Sequence, residues 1–365
     1  MNLNIVFLDF DDIKNPLLSA GQAHATVEVG KRLAKKGHTI SVLSSKYPGY
    51  KDRKENGLQY KHIGLGSGNI KLNNLIYIVV LPFYVKSIKA DIIIECFTAP
   101  ISTMFSPLFT KIPVVGLPTS FEAARFSKLY HLPFDVIEKF GLKHYRYVMP
   151  YTNDMKKEML KVNPALKTKV VGQGVDALYT KIKKKTPKYI LYLGRYDISQ
   201  KGLDLLLKAY ALTDPKNTLP LAFYGHGSDE NTLRETITNL KLSSRVSVHK
   251  GAYDKKKEEV LSHASSVAFP SRHEGFSLFS LEALASGLPL ISFAISGLSW
   301  TNNKVNLKAK PFNIKEYANL LTLGSNIKKV NEMGKNAREF AKHYSWDSVA
   351  SQFESFFTDI VSGAI

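Results

Sequence analysis

The sequence predicts an α/β protein made of two doubly wound parallel-sheet domains in series. The chain has 365 residues, a length that suits two domains of ordinary size. Short apolar strand patterns alternate with helix patterns from end to end. The strands are near-continuous apolar runs, as in parallel sheets covered by helices on both faces. Because ligands bind at the carboxyl ends of strands in such folds, we expect the two domains to face a cleft.

The first half supplies strands and helices in alternation. A helix pattern that ends at Gly37 follows the first strand, and a second helix is expected from Leu72 to Lys89. The acids of Asp9–Asp12 follow the first strand directly, and we interpret them as a polar loop at the cleft rim rather than a metal site. The predicted strands are NLNIVFLDF, HTISVLSS, LQYKHIGL, ADIIIECF and IPVVGLP.

The second half repeats this scheme after the polar segment 181–188, which has the composition of a linker. A last helix pattern begins near Ser345 and carries an apolar stripe that needs a surface to cover. We therefore expect domains at 1–180 and 181–345, with residues 346–365 packing back on the first. The predicted strands are KYILYLGR, LPLAFYGHG, RVSVHKG, SVAFPS and PLISFA, and the stripe is Val349, Phe353, Phe356 and Ile360.

The composition excludes several classes of protein. The net charge of +19 is spread over both halves, as 24 − 14 = +10 for residues 1–180 and 26 − 17 = +9 for the rest. Nucleic-acid-binding proteins cluster their basic charge, so we expect no nucleic-acid partner. The single cysteine, Cys96, excludes a disulfide framework and is expected in the core. The N-terminus does not resemble a signal peptide, so we expect a cytoplasmic protein.

An apolar run from Leu75 to Val85 is too short to span a bilayer and contains Pro82. Lys71, Lys86 and Lys89 flank it, a combination that favours weak association with an anionic membrane surface, here the inner face. The simpler alternative is a helix buried against the sheet. The sequence leaves both open.

The stretch SRHEGFSLFSLEALASGLPLI places Glu274 in a turn before a helix and Glu282 inside it. At about 1.5 Å per residue, the two lie about 12 Å apart along the helix axis. Gly275 permits close backbone approach, and the helix start offers N–H groups to a phosphate. Two acceptors with an anion site between them suit a nucleoside diphosphate sugar. Taken alone, two solvated glutamates would be the commoner explanation.

Two cations follow the first strand of the second half. Arg195 ends that strand and Lys201 opens the next helix, so both are expected at one carboxyl end, where they can bracket a diphosphate. The loop after the following strand contains Gly225 in a G-x-G pattern, which is weak evidence by itself. A surface Arg and Lys in a lysine-rich chain is the alternative.

Together these motifs resemble the second domain of the group 1 glycosyltransferases, family 4, which have two Rossmann-like domains in the GT-B arrangement. The element PSRHEGFSLFSLEALASGLP carries the most specific part of the likeness, and SAGQAHATVEVGKRLAKKG resembles the family's first glycine loop and helix. GQGVDALY resembles its interdomain segment, and SWDSVASQFESFF its returning helix. The resemblance implies a retaining, metal-independent transfer with no cofactor, from a nucleoside diphosphate sugar to a glycan or lipid-linked acceptor.

The resemblance also implies roles for individual residues. Arg195 and Lys201 would neutralise the donor diphosphate, and Glu282 would bind the ribose. Glu274 would hold sugar hydroxyls beside the helix N–H groups, and the base would lie near Lys250 and Tyr253. The remaining implied contacts are Gly21 and Gln22 with the phosphates, and Gly275, Phe276 and Ser277 with the sugar.

Two departures from the family pattern bear on the acceptor. The family commonly has a histidine after the fifth strand of the first domain, where this chain has Thr119 and Ser120. We expect these hydroxyls and Glu122 to shape the acceptor side, unless Glu122 only caps the next helix. Ser296-Gly297 and Trp300 replace a Gly-Gly turn and a glutamate. A sugar-nucleotide epimerase of similar fold and a non-catalytic sugar-nucleotide or polyanion binder remain alternative functions.

Overall fold

The computed structural model describes residues 1–18, 21–101 and 103–365. They form two compact units. The first comprises Met1–Gly174 together with Trp346–Ile365, and the second comprises Val175–Ser345. The division thus falls at position 174, whereas the sequence places it at 180.

The elements alternate along the chain in the predicted manner. The strands are β1 (Asn4–Leu8), β2 (Thr39–Ser45), β3 (Arg53–Glu55), β4 (Leu58–Ile63), β5 (Ile92–Phe97), β6 (Val114–Pro118), β7 (Tyr147–Val148), β8 (Lys167–Thr168), β9 (Tyr189–Leu193), β10 (Leu221–Gly225), β11 (Val246–Lys250), β12 (Ala264–Phe269), β13 (Leu290–Phe293) and β14 (Asn306–Ala309). The helices are α1 (Gly21–Lys35), α2 (Ile70–Val85), α3 (Ala123–Tyr130), α4 (Phe134–Leu142), α5 (Asn153–Val162), α6 (Ala177–Thr180), α7 (Ile198–Lys201), α8 (Leu203–Ala211), α9 (Glu230–Asn239), α10 (Asp254–His263), α11 (Leu278–Ala285), α12 (Ile314–Leu323), α13 (Ile327–Lys342) and α14 (Trp346–Val361).

The first unit is built on a sheet of order β3-β4-β2-β1-β5-β6-β7-β8, parallel except for the pairing of β3 with β4. Its central strands are buried throughout, which explains their unbroken apolar sequences; all six residues of β5 are buried. Cys96 lies in that strand and is fully buried, as expected. The loop at Gly37 has φ +99°, a left-handed conformation that ends the α1 segment.

The last helix, α14, belongs to the first unit and packs on α1. Its predicted apolar stripe is buried, with Val349 and Phe353 each at most 3% exposed. Ion pairs join the two helices at their polar edges: Arg32 Nε lies 2.6 Å from Asp347 Oδ1, and Lys36 Nζ lies 2.5 Å from Glu354 Oε2.

Helix α2 has two apolar faces. Tyr77, Leu81 and Val85 recur every four residues and are fully buried against the sheet, where the Tyr77 hydroxyl donates to Leu43 O at 2.8 Å. Leu75 and Val79, on the opposite face, are exposed. The helix is therefore packed on the sheet and still presents an apolar surface. Within the described residues, no helix has the length and apolar character needed to cross a bilayer.

The second unit is built on an entirely parallel sheet of order β11-β10-β9-β12-β13-β14. The core between sheet and helices is filled by long side chains such as Tyr210, Phe223, Phe293 and Tyr317. Gly287, at φ +76°, ends α11 ahead of Pro289, as the sequence predicts.

Residues 181–188 are not a free linker but part of the second unit. Lys184 Nζ donates to Leu261 O at 3.0 Å and to Ala264 O at 2.7 Å. The backbone N–H of Lys185 donates to Ser262 O at 2.9 Å, and Arg338 reaches Ile182 O at 2.5 Å. The polar composition that predicts a linker instead supplies donors for backbone carbonyls of the unit.

The interpretation of Asp9–Asp12 as a rim loop is wrong, because Asp9, Asp11 and Asp12 are each at most 2% exposed. Arg53 binds Asp12 through both oxygens, at 2.7 and 2.8 Å, and His62 Nε2 lies 2.8 Å from it. The loop folds inward because these distant side chains, which sequence patterns do not connect, satisfy its charge.

Candidate functional site

The strand order of the second unit determines where its predicted site lies. The chain order reverses between β9 and β12, which are neighbours in the sheet although the chain visits β10 and β11 between them. Loops that follow two such strands diverge and leave a crevice at their carboxyl ends, the usual ligand site of doubly wound sheets. Lys201 follows β9 and Glu274 follows β12.

Lys201 and Glu274 meet at this point. Lys201 Nζ lies 2.6 Å from Glu274 Oε1, although 73 positions separate them in the chain. Their side chains are 17% and 9% exposed, so the pair is largely withdrawn from solvent. The structure therefore brings together two residues that the sequence singled out independently.

Arg195 lies in the same loop but in a different environment. Its guanidinium is 61% exposed, and its NH2 group donates to Gln200 Oε1 at 2.9 Å. The hydroxyl of Tyr192 holds the Arg195 carbonyl at 2.7 Å. The loop thus carries one sheltered, paired cation and one exposed cation that is held in place.

Arg272 connects the loops that follow β9 and β12. Its guanidinium binds both carboxylate oxygens of Asp204, at 2.8 and 2.9 Å, and also Ile198 O at 2.9 Å. No sequence pattern identifies Arg272 as part of the site. Gly202 lies at the same contact, since a Cβ there would stand 2.2 Å from Pro270 O. Only glycine permits that approach, which sets the position of Lys201 relative to Glu274.

Glu282 has its own lysine, which the sequence analysis also missed. Lys257 Nζ, on α10, lies 2.6 Å from Glu282 Oε2 and 2.9 Å from the hydroxyl of Tyr179. Burial, and next the charge of Glu282, raises the pKa of Tyr179, so the phenol stays protonated. Lys257 therefore fixes the orientation of the carboxylate.

Helix α11 begins between the two glutamates, as predicted. Ser277 is its N-cap, and its Oγ accepts from Ser280 N–H at 3.2 Å. The ring of Phe276 stacks on Trp300, with centroids 4.7 Å apart. A Cβ at Gly297 would lie 2.2 Å from Glu274 O. Gly297 and Trp300, which belong to the segment that departs from the family pattern, therefore support the turn that contains Glu274 and Gly275.

The residues expected near the base lie at the ends of β10 and β11. A Cβ on Gly225 would stand 1.9 Å from Gly194 O, so the close approach of the two loops requires glycine. Lys250 ends β11 and is exposed, and the hydroxyl of Tyr253 lies 3.2 Å from His226 Nδ1. These groups line the same edge of the sheet as Arg195.

In the first unit, Gly21 and Gln22 begin α1. The side chain of Gln22 is buried and points away from solvent: the Tyr151 hydroxyl donates to its Oε1 at 2.5 Å, and its Nε2 lies 3.3 Å from Cys96 Sγ. A ligand contact by Gln22 would therefore use its backbone. The serine and alanine before Gly21 lie outside the described residues.

Thr119 and Ser120 follow β6 and are half-buried, and Thr119 N–H donates to Phe97 O at 2.9 Å. Glu122 occupies the N-cap position of α3. The N–H of Ala123 nevertheless donates to Glu138 of α4, at 3.2 Å. The capping role proposed as an alternative for Glu122 therefore falls to Glu138.

Comparison with known proteins places this geometry in a family. A model described as "Glycosyl transferases group 1" matches residues 179–340, and a model described as "Glycosyltransferase Family 4" matches residues 19–177. The chain belongs to the group 1 glycosyltransferases. The first match contains Arg195, Lys201, Glu274 and Glu282, and the second contains the loop at Thr119.

The curated relatives of this group 1 protein have low sequence identity to it and match only about half of the chain. It is 27% identical to the D-inositol 3-phosphate glycosyltransferase of Corynebacterium aurimucosum over 55% of the chain and 51% of that protein. It is also 27% identical to the mannosylfructose-phosphate synthase of Agrobacterium fabrum, over 45% of the chain and 39% of that protein. The chain spans about half the length of the curated relatives it matches.

Solved structures show that the GT-B fold extends over the whole chain. Sucrose-phosphate synthase from Thermosynechococcus elongatus superposes with a TM-score of 0.78 at 18% identity, covering 99% of this chain and 100% of that one. HepE of Anabaena, solved in complex with UDP-glucose, superposes with a TM-score of 0.74 at 16% identity, covering 98% and 100%. The predicted fold class is confirmed.

Proposed function

We propose that this group 1 glycosyltransferase transfers a hexose-type sugar from a nucleoside diphosphate sugar to a glycan or lipid-linked acceptor, with retention of configuration. One observation carries the proposal: Lys201 and Glu274 form a 2.6 Å ion pair where the strand order reverses. This pair supplies a cation for the diphosphate and a carboxylate for sugar hydroxyls within a few ångströms of each other.

The charges account for the proposed chemistry. Transfer breaks the bond between the sugar's anomeric carbon and the diphosphate oxygen and forms one to the acceptor oxygen. Negative charge develops on the departing diphosphate, which Lys201 and Arg195 stabilise together with the N–H groups at the start of α11. In a front-face transfer that diphosphate takes the proton from the acceptor hydroxyl.

Glu282 is proposed to accept hydrogen bonds from the ribose, with Lys257 holding its carboxylate. The base would lie over Lys250 and Tyr253, at the edge formed by β10 and β11. That HepE is described in complex with UDP-glucose supports a sugar nucleotide as the donor class here. The name of the mannosylfructose-phosphate synthase described above supports a hexose-type sugar.

A thermal-shift panel of nucleoside diphosphate sugars tests the donor. A true donor at about a hundred times its Kd should stabilise the chain by about 2.7 kcal/mol.

Arg195→Ala should weaken binding of the diphosphate and barely affect binding of the nucleoside. The loss should be smaller at high salt because the guanidinium is exposed. Equal losses for nucleoside and diphosphate would contradict the assignment. Interconversion of sugar nucleotides without an acceptor would identify an epimerase instead, and binding without turnover a non-catalytic binder.

Transfer is proposed to need no divalent cation, because Arg195, Lys201 and the helix start can neutralise the diphosphate. Turnover should therefore persist in EDTA. Complete loss of single-turnover transfer in EDTA, with recovery on adding Mg²⁺ or Mn²⁺, would reject this part of the proposal.

The loop after β6 is proposed to orient the acceptor in place of the family's histidine. Thr119 and Ser120 offer hydroxyls, and Glu122 is the carboxylate nearest to them in the sequence. Glu122→Gln and Thr119→Ala should leave donor binding intact and lower transfer roughly tenfold, about 1.4 kcal/mol. Unchanged transfer in both variants would show that the loop is not part of the acceptor site.

A further inference from the structure

Helices α3 and α4 form a hairpin that exposes large apolar side chains. Residues 128–133, at its tip, are all exposed, and Leu132 alone is 53% exposed. The outer face of α4 continues this pattern. The exposed apolar residues of the hairpin are Leu129, Tyr130, Leu132, Val136, Ile137 and Phe140. Single exposed apolar residues need no explanation, but a cluster of this size indicates a binding surface.

The outer face of α2 has the same character. Leu75 and Val79 are exposed one turn apart, and Phe83 follows them at 72% exposure. The opposite face of the helix already packs on the sheet through Tyr77 and Leu81, so this outer face is not needed for the core. Its amino acids are apolar where a soluble helix normally carries polar ones.

A short segment between the two elements brings them onto one surface. The ring of Phe105 lies 6.2 Å from that of Phe140 on α4. A few residues later, Lys86, at the end of α2, lies 5.9 Å over the ring of Phe109. Leu108, between these rings, is 54% exposed. The apolar residues of α2, of residues 105–109 and of α3–α4 are termed the basic apolar surface, for the charges described next.

Positive charge surrounds these apolar residues. Residues 70–89 contain Lys71, Lys86 and Lys89 and no acidic residue. The hairpin, Ala123–Leu142, adds Arg125, Lys128 and Lys139 against two acids.

Both hairpin acids are bound within the hairpin. Asp135 Oδ1 accepts from Ser127 Oγ at 2.8 Å, and Glu138 is 4% exposed and accepts from Ala123 N–H. Asp135 also pairs with Lys139 at 3.4 Å. Basic residues nevertheless outnumber the acids over residues 70–89 and the hairpin, so the net charge there is positive.

We propose that the basic apolar surface docks on an anionic lipid bilayer, and that the acceptor is lipid-linked. Apolar side chains flanked by lysines match the chemistry of an acidic membrane interface, where the side chains enter the acyl boundary and the cations meet the headgroups. A second copy of this chain would instead bring like charges together. The acceptor half of the inference rests on the proposed function: α3 begins at Ala123, directly after the Thr119–Glu122 loop proposed to orient the acceptor.

Co-sedimentation of the full chain with vesicles tests the docking. Vesicles of phosphatidylcholine and phosphatidylglycerol in equal proportion should bind the protein at low salt, and pure phosphatidylcholine vesicles should bind it much less. Leu132→Asp and Phe83→Asp should each weaken binding roughly tenfold, equivalent to about 1.4 kcal/mol. Leu212→Asp is the matched control: this leucine is 60% exposed on the second unit and should bind like wild type. Thermal midpoints should match in all four proteins.

The outcomes separate the docking from the transferase proposal. No binding to the mixed vesicles, or equal losses in Leu132→Asp and Leu212→Asp, would overturn the docking surface. A dimer that Leu132→Asp dissociates would assign the surface to a second copy instead.

Vesicle binding needs no nucleotide, so a chain that binds vesicles but no sugar nucleotide would keep the surface and reject the transferase. If transfer to a water-soluble acceptor is as fast as to a lipid-linked one in vesicles, the lipid-linked acceptor is rejected and docking stands.

Discussion

The two units of the molecule handle carboxylates in different ways. In the second unit, Glu274 and Glu282 each lie 2.6 Å from a lysine Nζ. In the first unit, Asp9 accepts a 2.6 Å hydrogen bond from the Thr26 hydroxyl, and Glu95 accepts from the hydroxyls of Ser106 and Tyr145. The two second-unit carboxylates are thus paired with lysines, whereas these two first-unit carboxylates are held by hydroxyl donors inside the core.

The pKa values follow from these surroundings. Burial raises the pKa of Asp9 and that of Glu95 to about 7, although hydroxyl donors oppose the shift. Asp12, in the same unit, shows that the partner decides the outcome. Burial would raise its pKa too, but hydrogen bonds from His62 and Arg53 outweigh this and hold it well below the usual range. A carboxylate suited to binding ligand hydroxyls is therefore one that keeps a cation partner.

Removing the cation from the second-unit pair should have the largest effect. Lys201→Ala takes away a charge that is proposed to face the diphosphate, and it leaves Glu274 without its 2.6 Å partner in a sheltered position. We expect transfer to fall roughly a thousandfold, about 4 kcal/mol, measured as kcat/KM. Lys328→Ala, an exposed lysine on α13 of the same unit, is the control and should retain wild-type transfer. Near-normal activity in Lys201→Ala would mean that the pair is structural.

The sequence was sufficient to single out both members of this pair but not their contact or its surroundings. Glu274, Glu282, Arg195 and Lys201 stand at strand ends or in a specific motif, so local pattern and topology together place them. Lys257 lies within the run 255–257, and only the rotation of α10 decides which lysine faces Glu282. Arg272 binds Asp204 across two loops, a contact that depends on tertiary packing rather than on spacing.

In the first unit the sequence predicts the strands better than the polar chemistry. The buried strands are apolar and continuous, which local pattern detects. Asp9 and Gln22, in contrast, look like loop and helix-start residues, yet partners such as Thr26 and Tyr151 draw them inward. The hairpin α3–α4 escaped prediction because its apolar residues occur on the exposed face as well as the buried one, which obscures the helical period.

The raised pKa of a carboxylate held by hydroxyl donors should be detectable in the pH dependence of the free energy of unfolding. Burial raises the pKa of Glu95 from 4.5 to about 7 in the folded state. The folded protein therefore gains from the bound proton below pH 4.5 and loses that gain as the pH rises through 7. Glu95→Gln cannot ionise, so its free energy of unfolding relative to wild type should increase over this window, by up to about 3 kcal/mol. Urea unfolding at several pH values measures it.

Glu55→Gln supplies the control for the first unit. Hydrogen bonds from Lys14, and next from Arg53, lower the pKa of this solvent-facing carboxylate. Its contribution is present above its unfolded pKa and is lost as the pH falls, so the sign is opposite to that of Glu95, and the effect should be small. A pH-independent difference between Glu95→Gln and wild type would show that folding does not raise the pKa of Glu95.

The lysine that orients Glu282 offers the finest test, because its neighbour faces solvent on the same helix. Lys257 Nζ contacts Glu282 and Tyr179, whereas Lys256 is 58% exposed and pairs with Glu259. Lys257→Met should lower the affinity for the nucleoside and for the nucleoside diphosphate alike, roughly tenfold, about 1.4 kcal/mol, because the proposed contact of Glu282 with the ribose is common to both. Lys201→Ala should affect only the ligands that contain the diphosphate.

Calorimetric titration of the nucleoside and of the nucleoside diphosphate separates the two patterns. Lys256→Met is the control and should match wild type. If Lys256→Met and Lys257→Met lose affinity equally, the effect is long-range charge rather than the orientation of Glu282.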